Sequence, residues 1–134
     1  MKLPIRVSED SREPIYHQIE TQLKSLIVGG QLPSGTPLPS IRALASELAC
    51  SVITTRRAYQ NLEINGFIKT VQGKGTFVKE IEEFRKQETK DKAVHDAFQK
   101  AIEQGKQLGS TKEEIRSIFE EVLSSNYEDS SMGE

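Results

Sequence analysis

Two serines eleven positions apart, Ser40 and Ser51, each stand directly before a segment whose apolar residues recur at helical spacing. A serine there accepts a hydrogen bond from an otherwise unpaired backbone N–H of the first turn, so each marks a helix start. After Ser40, Ile41, Leu44, Ala45 and Leu48 form one apolar stripe along "IRALASELA", a helix of about ten residues. After Ser51, Ala58, Tyr59 and Leu62 form another, which closes at Gly66 as C′ residue. Helices joined this closely must cross steeply, as in a helix-turn-helix.

The flanking segments complete the pattern. Residues 14–28, "PIYHQIETQLKSLIV", place Ile15, Ile19, Leu23 and Leu26/Ile27 on one stripe, with Pro14 in the first turn and Gly29-Gly30 at the end. The next stretch, "QLPSGTPLPS", holds three prolines and a glycine in ten residues and predicts a fixed, extended loop. Beyond Gly66, "FIKTV" and "TFVKE" read as strands joined by "QGKG", a hairpin with a basic, glycine-flanked tip. Three helices followed by a hairpin is the order of a winged helix-turn-helix domain, here placed at residues 10–79.

From about residue 80 the chain turns helical and acidic. Val94, Ala97, Phe98, Ala101 and Ile102 mark one amphipathic helix, which Gly105 and Gly109 are expected to break. Ser110 with Glu113, or Thr111 with Glu114, offers a capping box for a second, striped by Ile115, Ile118, Phe119, Val122 and Leu123. Two such helices cannot bury all these side chains between themselves. A second copy of the chain is the simplest cover, which makes residues 80–127 a helical dimerisation segment with Val94, Phe98, Ile102, Ile115, Ile118, Phe119, Val122 and Leu123 at the interface. Packing of both helices onto the first domain is the alternative. Residues 128–134 are polar and read as a flexible tail.

Charge divides along the same line. Residues 1–79 carry 10 Lys/Arg against 6 Asp/Glu, and residues 80–134 carry 8 against 14, so only the first part suits a polyanion. No apolar run approaches the roughly 20 residues needed to span a bilayer, and "MKLPIRVSEDSREP" lacks the apolar centre of a signal peptide. A cytoplasmic protein without membrane contact is expected, and the single cysteine, Cys50, agrees with a reducing compartment and reads as a core residue. His17 and His95 are isolated, so no metal site is expected. "GKGT" shares part of a phosphate loop but lacks its spacing, and no nucleophile–base pair stands out. Neither an enzyme nor a cofactor is expected.

Residues 14–78, taken together, closely resemble the DNA-binding domain of GntR-type transcription regulators. The resemblance rests on a first helix ending in glycine, "LPSGTPLPSIRALA", a serine-capped recognition helix and the wing "GKGTFV". It covers about half the chain, and the remaining 55 or so residues make the whole similar to the small YtrA-type branch, which has a short dimerisation tail. The resemblance implies a homodimeric regulator, more often a repressor, on double-stranded DNA, and an association with transporter genes. It also implies that Arg42 contacts DNA from the start of the second helix. At Val52 many family members carry a base-contacting arginine, so a guanine contact does not carry over there.

At 100° per residue, Thr55, Ala58, Tyr59 and Leu62 share the inner side of the third helix, while Ile53, Arg57 and Gln60 fall opposite, with Arg56 on one flank and Val52 near the edge. A recognition helix meets base edges with its N-terminal residues. Arg56 is then the strongest polar reader, and Val52 and Ile53 either read shape and thymine methyl groups or pack beneath the loop or wing. Arg57 reads as a DNA contact or as a solvated surface charge. Ser40, Ser51 and Thr54 sit at helix starts, where hydroxyls and free N–H groups favour phosphate oxygens as well as capping. Gly73 and Lys74 form a wing tip able to approach a phosphate or enter a minor groove. The expected protein is mainly α with a small β-hairpin: a winged helix-turn-helix regulator acting as a homodimer on an inverted repeat. A winged-helix module for a protein partner is the second reading.

Overall fold

The computed structural model describes residues 2–127; the expected tail at 128–134 lies outside them. The element order is α1 (Ile15–Val28), α2 (Ile41–Leu48), α3 (Val52–Ile64), β1 (Ile68–Val71), β2 (Gly75–Val78), α4 (Glu83–Gln107) and α5 (Lys112–Asn126). The chain divides into two compact units, residues 1–90 and 91–134.

In the first unit, α1 contributes Ile19, Leu23 and Ile27 to the core, α2 contributes Leu44, and α3 contributes Ala58, Tyr59 and Leu62. The inner stripes are therefore those that the spacing predicts. Both serine caps form: the Ser40 hydroxyl accepts from the Ala43 N–H at 3.0 Å, and that of Ser51 accepts from the Thr54 N–H at 3.0 Å. Between the helices Ala49 adopts φ 55° and ψ 44°, a left-handed conformation that glycine would hold more cheaply. Its N–H and that of Cys50 turn back to the carbonyls of Ser46 and Ala45, which ends α2 in a Schellman-type closure.

The proline-rich loop is more than a fixed connector. Gly35 N–H donates to the Val78 carbonyl, Val78 N–H to that of Thr36, and Leu38 N–H to that of Thr76, so residues 35–38 lie alongside the two-stranded sheet, with a single bridge between Pro37 and Phe77. Antiparallel β1 and β2 pair Ile68 with Val78 through Val71 with Gly75. Prolines suit such an edge, because they lack the N–H a neighbouring strand would need.

Residues ahead of α1 also join the core. Leu3 and Ile5 are buried, and the alternation Leu3, Ile5, Val7 is the signal for an extended segment with one inward face. Two α1 glutamines one turn apart hold it. Gln18 accepts from Ser8 N–H at 2.9 Å and donates to the Ser8 and Glu13 carbonyls. Gln22 both accepts from Arg6 N–H and donates to its carbonyl.

In the second unit, the expectation that Gly105 breaks the fourth helix does not hold: α4 runs through it to Gln107, and Gly109, at φ +84°, lies beyond its end. Gly105 serves close approach instead, since a Cβ there would stand 3.0 Å from Ile115 Cδ1 on α5. Thr111 and Glu114 form the reciprocal capping box at the start of α5. Phe98 and Phe119 meet edge to face at 5.7 Å between ring centres.

Gln18→Ala leaves the Ser8 backbone groups and the Glu13 carbonyl without their side-chain partner. It is expected to destabilise the protein by about 1–3 kcal/mol in urea unfolding.

Candidate nucleic-acid interface

The outer face of α3 depends on how firmly its inner face is held. Thr55 is fully buried, and its hydroxyl donates to the Ser51 carbonyl at 3.1 Å while lying 3.3 Å from Cys50 Sγ. Tyr59 reaches back across the helix pair and donates to the Pro39 carbonyl at 2.7 Å. Burial pushes its phenol well above the ordinary tyrosine range, and the Glu47 carboxylate adds to the effect, so it remains a neutral donor. Asn61 donates to the buried Glu20 carboxylate of α1 at 2.6 Å, and Glu63 accepts from the Thr70 N–H on β1 at 3.1 Å. The recognition helix is thereby tied to the loop, to α1 and to the wing.

Ile53 is left 75% exposed, which excludes packing beneath the wing, whereas Val52 is half-buried. Thr54 is engaged locally, receiving the Ser51 hydroxyl proton at 2.8 Å. Arg56 is exposed on the flank. Arg57 has a partner with no local signature in the sequence: its guanidinium lies 3.8 Å from the centre of the Tyr16 ring, so it braces α3 against α1. Arg42 is exposed at the second position of α2. Among the described residues Arg42, Arg56 and Lys74 form no ion pair, and their charges stand free for an anion.

At the wing tip Gly73 takes φ +81° and Gly75 φ +123°, so a tight turn presents exposed Lys74 between them. Such conformations suit glycine, which also leaves the backbone open to close approach. The structure thus places the serine caps, Arg42, Ile53, Arg56 and Lys74 on exposed positions of one domain, and gives exposed Arg57 and half-buried Thr54 a contact each within the protein. Tyr16, Glu20 and Asn61 carried no sequence signal, since each reads as an ordinary helix-surface residue. Among the described residues no cluster of His, Cys, Asp or Glu suits a metal ion, and no helix is long and apolar enough to cross a membrane.

Residues 15–78 match the family described as bacterial regulatory proteins, gntR family. The chain is also 37% identical over 105 residues to the HTH-type transcriptional regulator YhcF of Bacillus subtilis, a span covering 78% of this chain and 86% of that protein. The chain belongs to the gntR family. It is 40% identical over 76 residues to the HTH-type transcriptional repressor YtrA of Bacillus subtilis, covering 57% of this chain and 58% of that one. A GntR family transcriptional regulator from Listeria monocytogenes shares the fold with a TM-score of 0.70 and 31% identity, over 84% of this chain and 97% of its own. Membership of the gntR family makes the protein a non-enzymatic regulator with a helix-turn-helix DNA-binding domain.

Ser51→Ala removes the cap that starts the recognition helix and is expected to cost about 1 kcal/mol, whereas Ser51→Gly costs a few tenths. Ile53→Ala, at an exposed position without a partner, is expected to stay within about 0.5 kcal/mol of the parent. Urea midpoints check all three.

Proposed function

We propose that the protein is a sequence-specific repressor that binds double-stranded DNA as a homodimer on an inverted repeat. In this reading α3 enters a major groove, with half-sites about one helical turn apart. Arg56 is the main polar reader of bases; Arg42 and the N-termini of α2 and α3, capped by Ser40 and Ser51, meet phosphates. Val52 and Ile53 line the groove end of α3, Thr54 and Arg57 hold its first turns in place, and Gly73 with Lys74 brings the wing to the flanking backbone. The carrying observation is an outward α3 face whose nearest arginine is unpaired while every inner-face side chain is fixed. Repression follows from occupancy of promoter DNA in the cytoplasm. Control of a transporter operon belongs to the same proposal and is supported by the likeness to the YtrA-type branch alone.

Dimerisation is assigned to α4 and α5. Val94, Phe98, Ile102, Ile118, Phe119, Val122 and Leu123 are all exposed in the single chain, and Ile115 is half-buried against Gly105. An apolar face of this extent calls for a cover, and a second copy supplies one of matching shape by symmetry.

Titration of random and promoter duplexes at two salt concentrations tests the reading. Affinity is expected to fall with salt and to favour one sequence; absence of both contradicts the proposal. Arg56→Ala is expected to lose about 1–3 kcal/mol on the preferred site, and Lys74→Ala to weaken all sequences evenly with the salt slope reduced by about 1. Sedimentation is expected to give a dimer at micromolar concentration, and Phe119→Glu a monomer.

A further inference from the structure

We propose that Ile53 is a specificity-determining residue that reads a thymine through its C5-methyl group. This rests on the DNA-binding reading above and names the chemistry of one contact within it. Of the four side chains that open α3, Thr55 is fully buried, Val52 is half-buried, and Thr54 is tied to Ser51 at 2.8 Å. Arg57, one turn later on the outward side, is stacked on Tyr16 at 3.8 Å. Ile53 is the first-turn side chain that is both outward and without an intraprotein partner, at 75% exposure. N-terminal residues of a recognition helix are those that reach base edges, so an uncovered aliphatic group there must meet whatever the groove presents.

The major-groove edges of the bases offer hydrogen-bond donors, acceptors and one apolar group, the thymine methyl. An isoleucine placed against a donor or acceptor removes water from it and returns no hydrogen bond, which penalises G·C and C·G pairs at that position. Against the methyl group both surfaces leave water at no polar cost. The branched Cβ favours a single χ1 rotamer in a helix, so the methyl groups are presented in a fixed direction before DNA arrives. Ile64 is similarly bare at 81% exposure but lies at the far end of α3, away from the turn that meets base edges.

The test uses the full chain and a duplex enriched by selection from a random-sequence library. Each thymine of the enriched site is replaced in turn by deoxyuridine, which deletes only the methyl group, and affinity is read by fluorescence anisotropy at fixed salt. One thymine per half-site is expected at which the replacement weakens binding about fourfold, the worth of one buried methyl-sized group. Ile53→Ala is expected to bind the parent site about fourfold more weakly and to be indifferent to that replacement, while Ile53→Val keeps the response. Circular dichroism shows that both variants are folded. The proposal is overturned if no thymine responds, or if Ile53→Ala responds as the parent does. A selection that enriches no sequence overturns the DNA-binding reading itself, and is distinct from an enriched site without a methyl-sensitive position.

Discussion

Everything in the DNA-facing domain follows from the joint between α2 and α3. Ala49 enters a left-handed conformation that costs a non-glycine residue roughly 1–2 kcal/mol, and it turns the chain so sharply that Ser51 can cap α3 two residues later. The strain is offset by what the turn makes possible. Cys50 N–H closes the end of α2 on Ala45, the Thr55 hydroxyl closes on Ser51, and Leu44, Ala58 and Leu62 come together in the core. A wider turn would part the two stripes, and a longer one would move the start of α3 away from the surface.

The remaining polar contacts decide which side of α3 faces outward. Tyr59 to Pro39, Asn61 to Glu20 and Glu63 to Thr70 tie the helix to three different elements. Tyr59 and Glu20 are buried and would be costly unpaired, whereas the Glu63–Thr70 contact is exposed, so rotating α3 about its axis would be opposed chiefly by the first two. That rigidity bears on function: a contact that distinguishes one base from another requires a side chain whose position is fixed before binding. The Arg57–Tyr16 stack adds a cationic brace of the same kind.

Helix stripes, serine caps, the Gly66 terminus and the hairpin are local patterns, and all were legible from residues 14–78. The missing pieces are the non-local ones. That residues 35–38 bond alongside β2 depends on where β2 lies, and that Glu20 is buried depends on Asn61 approaching from another helix. Gly105 shows the limit from the other side. Its helix-breaking tendency is about 1 kcal/mol relative to alanine, which is small beside the packing of α5 that its missing Cβ permits. At the candidate interface the exposed start of α3 was legible as a face, whereas the contacts of Arg57 with Tyr16 and of Thr54 with Ser51 were not.

The proposed DNA surface is formed by the start of α2, the start of α3 and the wing tip. Backbone amide shifts recorded while a selected duplex is added test it most directly. The account predicts the largest changes at Arg42, at Ser51 to Arg57 and at Gly73 and Lys74, with the buried residues of α1 little affected. Changes concentrated on α1, or DNA binding that leaves the first turn of α3 unmoved, would contradict it.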